Sequence, residues 1–135
     1  MRNLLILFLM LPIAAFASDW KHIGNSDRSA IAYDAQSVKV TGIYRKAWVM
    51  TSYFKEQSLN AASVSFQSVK NLVYFDCTQR TQSDPLQNIY YDDFEGIGNV
   101  TRSSSYAFDP SSMIDVAPDS LGEGILDAVC KAKVR

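Results

Sequence analysis

Val69-Lys70-Asn71-Leu72-Val73-Tyr74-Phe75-Asp76-Cys77 is the clearest β-strand signal in the chain, and with its flanks it runs from Ser68 to Thr78. Val69, Val73, Phe75 and Cys77 alternate onto one face, with Asn71 the polar exception. Lys70, Leu72, Tyr74 and Asp76 take the other, because successive strand residues point to opposite sides of a sheet. The first face is the better core candidate, and it includes the cysteine.

Upstream, Trp20 to Ile23 and Ser29 to Tyr33 read as short strands separated by Gly24-Asn25-Ser26-Asp27. Asp34-Ala35-Gln36-Ser37 is a turn in which the Asp34 carboxylate accepts a backbone N–H two or three residues on. Val38 to Val40 and Ile43 to Phe54 follow, joined by a tight turn or bulge at Gly42. Downstream, Asp84-Pro85 breaks the chain, Leu86 to Tyr91 resumes as strand, Asp92 to Gly96 turns, and Asn99 to Phe108 runs back. Strands in succession joined by short turns favour antiparallel pairing.

The end of the chain changes period. Pro118-Asp119-Ser120 leads into a helix over Leu121 to Lys131, with Ser120 and Glu123 at capping-box spacing. Leu121, Ile125, Ala128 and Val129 form one face with Leu126 beside it, and Cys130 sits at its border. Gly122 and Gly124 weaken this helix intrinsically. The expected fold is therefore α+β: an antiparallel sheet of about six strands with one C-terminal helix packed on a face. The opposite face carries Tyr44, Trp48, Met50, Leu72 and Tyr74 under one choice of pairing. That second apolar surface wants a cover, which loops or a homodimer partner would supply.

Met1-Arg2-Asn3, the apolar run from Leu4 to Ala14 and the small residues of Ala15-Phe16-Ala17 read as a secretory signal peptide over residues 1–17. The run is well short of the ~20 residues that span a bilayer, so no membrane span is expected. Ser18 becomes the mature N-terminus of a single domain over residues 18–135. No cysteine follows the cleavage region to carry a lipoprotein's acyl chain. The expected location is outside the reducing compartment, in the periplasm or secreted at the cell surface.

The chain has 135 residues, 13 Lys and Arg against 14 Asp and Glu, two cysteines and one histidine. There is no basic excess for a phosphate backbone, so nucleic acid is not an expected partner. Cys77 and Cys130 form no Cys-x-x-Cys pair, and with His22 alone beside them a zinc site lacks ligands. An intrachain disulfide between Cys77 and Cys130 is the leading reading and intermolecular pairing the runner-up. Closing a loop of about 54 residues stabilises a fold by roughly 4 kcal/mol in the chain-entropy treatment.

These segments, in this order, resemble the surface-adhesin protein E family of Gram-negative bacteria. The Tyr74-Phe75-Asp76-Cys77 strand resembles its aromatic-Asp-Cys strand, and Pro118-Asp119-Ser120 with Ala128-Val129-Cys130 its Pro-x-Ser helix start and closing Val-Cys. Tyr33 to Val38 is similar to its early Asp-x-x-Ser-(Ile/Val) turn, and Ala47-Trp48-Val49-Met50 to its Trp-containing strand. The resemblance covers Asp19 to Cys130. It implies a mostly antiparallel sheet, a packed C-terminal helix and a disulfide joining the two. Its founding member is a dimeric, lipid-anchored adhesin for host matrix and serum proteins. This chain departs in lacking the lipidated cysteine and in having Met113 near where a tryptophan often precedes the Pro-x-Ser motif.

No catalytic, cofactor or metal set emerges from the residues. Ser103-Ser104-Ser105 has no base paired with it, Asp92, Asp93 and Glu95 lack the spacing of a calcium loop, and Asn99-Val100-Thr101 is a glycosylation sequon by pattern only. The expectation is a non-catalytic cell-envelope protein with a protein partner, a host matrix protein by the resemblance. Aromatics with cations are common interface anchors, so Lys46, Trp48, Lys70, Tyr74, Arg80 and Arg102 are the candidate protein-binding residues. The alternative is a soluble periplasmic binding or assembly module with no host ligand.

Overall fold

A computed structural model describes residues 17–60 and 64–134. The signal peptide expected over residues 1–17 falls outside these residues, apart from Ala17. The core of the fold is a long hairpin of β4 (Tyr44–Leu59) and β5 (Val64–Asp76). Each of its strands shares its outer edge between two shorter neighbours. β4 pairs with β2 (Ser29–Asp34) along one half and β3 (Lys39–Thr41) along the other. β5 likewise pairs with β7 (Gln87–Tyr91) and with β6 (Thr81–Gln82). β1 (Trp20–Asn25) lies outside β2, β8 (Val100–Ser105) outside β7, and β9 (Ile114–Asp115) outside β6.

All pairings are antiparallel, in one sheet of nine strands. Three of the nine, β3, β6 and β9, are only two or three residues long, which leaves six of the length expected. The sequence signal for the hairpin stopped at Phe54 and resumed at Ser68. The strands themselves continue to Leu59 and from Val64, across a register shift between Ser52 and Gln57. That shift breaks the alternation on which a strand reading depends. Gly42, at φ +61°, makes the two-residue turn between β3 and β4.

Helix α1 (Leu121–Lys131) lies on β1, β2, β4 and β5. Ile125, Leu126 and Val129 bury against Val38, Ala47, Val49, Val73 and Phe75, with Ile23, Ile31 and Tyr33 at the margin. The Ser120 hydroxyl accepts the Glu123 N–H at 3.2 Å, as the capping spacing implies. The Glu123 carboxylate reaches back to the Asp119 N–H at 3.4 Å instead of that of Ser120. At the other end Arg45 donates to the carbonyls of Val129 (2.9 Å) and Ala132 (2.7 Å), satisfying acceptors the helix leaves open.

β5 ends at Asp76, so Cys77 opens the following turn, and it is disulfide-bonded to Cys130 in the last turn of α1. The helix is thus tied to the sheet both by a buried apolar stripe and by a covalent bond. The polar exception on the core face, Asn71, is accommodated by a ladder. Its amide donates to the Asn88 carbonyl oxygen at 2.5 Å, and Asn88 donates to the Ser104 hydroxyl at 3.1 Å.

Candidate protein-binding face

The hairpin register places Lys46 opposite Tyr74, Trp48 opposite Leu72 and Met50 opposite Lys70. Directly paired residues share a face, and Ala47, Val49, Val73 and Phe75, which alternate with these six, pack under α1. Lys46, Trp48, Met50, Lys70, Leu72 and Tyr74 therefore project from the helix-free side. Four of the six candidate binding residues meet there.

Two loop segments cover the ends of this face. At one end the Lys70 ammonium donates to the Gly96 carbonyl at 2.8 Å and stands over the rings of Tyr91 (4.7 Å) and Trp20 (5.4 Å). Burial holds the Lys70 pKa below its ordinary value, against the opposing pull of Asp93 and Asp34. Gly96 has φ +69°, and a Cβ there would lie 2.9 Å from Lys70 Cε and 3.0 Å from Met50 Sδ. The left-handed backbone there favours glycine, and an added Cβ would push aside the ends of both side chains.

The loop is braced from within. Partial burial raises the pKa of the Asp93 carboxyl, but backbone N–H groups, those of Gly98 and Ile97 foremost, outweigh it and hold the value below normal. Asp92 accepts from the Asn99 N–H at 2.8 Å. These carboxylates thus serve the loop's own backbone.

At the other end Phe108 closes over the sheet, its ring 4.3 Å from that of Tyr74 and 5.0 Å from that of Tyr44. Trp48 and Leu72, both half-buried, lie between the two covers in the register, with Lys46 next to them. The Lys46 ammonium is 6.0 Å from the Tyr74 ring. Between the two covers stand an indole and an isobutyl group beside a cation, all half-buried. Such a surface suits a partner that brings apolar area and negative charge.

The other two candidates lie elsewhere. Arg80, in the turn after β5 at φ +56°, points to α1, 2.8 Å from the Asp127 carboxylate and 3.6 Å from that of Glu123. The hydrogen bond it donates to the Asp127 carboxylate is the main cause of its raised pKa. Arg102 sits exposed on β8, paired with Tyr90, which is paired in turn with Val69, so it belongs to the sheet's other face. Sequence reasoning missed Trp20, Tyr91, Gly96 and Phe108 as parts of the site. Trp20 was readable only as the first residue of a strand, and Phe108 carried no signal because its contact is made by a loop.

Among the described residues no helix is long and apolar enough to cross a membrane. The family model for surface-adhesin protein E matches residues 20–131. A search of curated proteins finds no match. Among solved structures, protein E from non-typeable Haemophilus influenzae is similar, at TM-score 0.57 and 14% identity, over 84% of this chain and 81% of that one. At that identity the likeness concerns the fold.

Proposed function

The chain belongs to the surface-adhesin protein E family, and from that premise we propose an exported, non-catalytic cell-envelope protein whose helix-free sheet face binds a protein partner. The observation that carries the reading is the family match, which runs from the first strand through the helix and so takes in the whole of this face. Lys46 and Trp48 make the contact, Tyr74 backs them from beneath Phe108, and Lys70 holds the covering loop in place and adds charge at its margin. The partner is a host extracellular-matrix protein presented to the bacterial surface.

Two measurements test this. Protease added to intact cells is expected to digest the protein, and protection until the outer membrane is breached would overturn surface display in favour of a periplasmic module. Purified protein is expected to bind immobilised matrix proteins, and Trp48→Ala to weaken that binding about tenfold or more, the scale of an interface anchor. Unchanged binding, with the circular dichroism of the wild type retained, would remove this face from the proposal.

A further inference from the structure

Four strands of the sheet, β1, β3, β8 and β9, are paired on one side only, and they differ in how they are protected. An outer strand presents unpaired backbone donors and acceptors, a template for another strand, and proteins usually blunt it. β1 is interrupted by a register shift between His22 and Gly24 and is packed against α1, where Gly24 approaches Leu121. β3 and β9 are only three and two residues long. β8 shifts register only near its start, where Tyr90 pairs with Arg102 and Tyr91 with Val100, and from Arg102 to Ser105 it is regular and uncovered. It has six residues, Val100–Ser105, pairs only with β7, and is exposed throughout apart from half-buried Ser104. Val100 and Thr101 favour extended backbone, there is no proline, and Arg102 is its one charge. A groove of about 460 Å³ runs beside it, lined by Gln87, Ile89, Ser103, Ser104 and Ser105.

We propose that β8 is a strand-addition site, which takes an extended segment of a partner protein as a further antiparallel strand of the sheet. Main-chain hydrogen bonds supply the affinity in this mode, and pockets for alternate side chains the specificity. One set of partner side chains falls over Ile89, Ser103 and Ser105, a floor suited to valine or threonine. The alternate set faces Arg102, which selects a carboxylate. Arg102, set apart from the other candidate binding residues, thereby acquires a partner.

A second copy of the chain is the poorer occupant. A six-residue edge is about 20 Å long. A contact of about 10 Å width along it covers roughly 200 Å² per side, against the ~800 Å² per partner of a stable interface. Two-fold pairing also brings two Arg102 side chains near each other. A flexible segment needs no rigid-body fit and meets neither limit.

The test uses the disulfide-intact exported protein and a labelled peptide, acetyl-Thr-Val-Glu-Val-Thr-Val-amide, followed by fluorescence anisotropy and hydrogen exchange. Binding at up to millimolar peptide is expected, with slowed exchange of the β8 amides. N-methylation of alternate peptide residues, which removes donors along one edge, is expected to abolish it. Arg102→Glu is expected to weaken it about tenfold, and replacing the peptide's glutamate by lysine to restore it. The proposal is overturned by unprotected β8 amides at millimolar peptide, by equal binding of the N-methylated peptide, or by sedimentation showing a dimer of the free protein whose own contact protects β8.

Discussion

Gly124 illustrates how one residue is decided by what lies above it. Glycine costs a helix about 1 kcal/mol relative to alanine, so both helical glycines look like defects. A Cβ on Gly124 would lie 2.9 Å from Ile23 Cγ2, whereas the nearest atoms to one on Gly122 are at 3.5 and 3.6 Å. The two positions therefore have opposite signs. Gly122→Ala is expected to stabilise by up to about 1 kcal/mol, the helix propensity gained with no clash. Gly124→Ala is expected to destabilise by roughly 1 kcal/mol or more, because the helix must lift from β1. Urea unfolding of both variants checks this, and the loss at Gly124 should shrink when Ile23 is also cut to alanine.

At the scale of elements, α1 has 11 residues. That is below the ~12–15 residues at which isolated helices become even marginally stable in water, so packing and attachment hold it. Its apolar stripe, the Arg45 bonds to its last carbonyls, the Arg80 ion pairs and the Cys77–Cys130 bond all act between the helix and the sheet. The disulfide spans a sequence separation of 53 residues. Replacing both cysteines by serine is expected to cost about 4 kcal/mol, mainly by freeing the unfolded chain. Denaturant titration of the double variant against the oxidised protein measures it. The ion pairs of Arg80 lie in water and are screened by salt, so they orient the helix more than they stabilise it.

At the scale of the molecule, one side of the sheet is closed by the helix and the other is partly closed by loops, with half-buried Trp48 between them. The proposed export would make the covalent tie available, since the cytoplasm keeps thiols reduced. The leader reading then has a direct consequence. The exported protein is expected to begin at Ser18 and to contain no free thiol, which an intact-mass measurement with and without reduction checks. A mass that includes Met1 would overturn the leader, and two titratable thiols in the exported protein would overturn oxidation on export.

Local pattern alone determined the α+β class, the helix from Leu121 to Lys131, the core-facing alternation of Val69, Val73 and Phe75, and the leading choice of Cys77 with Cys130. Each depends on the period of the backbone or on residue chemistry, and both are written along the chain. The tertiary structure decided which strands share an edge, where the hairpin register slips, and which cations lie on the helix-free face and which pack against the helix. Lys46 lies in a strand and Arg80 in the turn after one, yet the first sits on the helix-free face and the second meets a helix carboxylate. Gly96 and Phe108 become parts of the site only because loops fold back on strands far from them in sequence. Such contacts are set by cross-strand register and loop closure, which couple distant residues and leave no periodic mark.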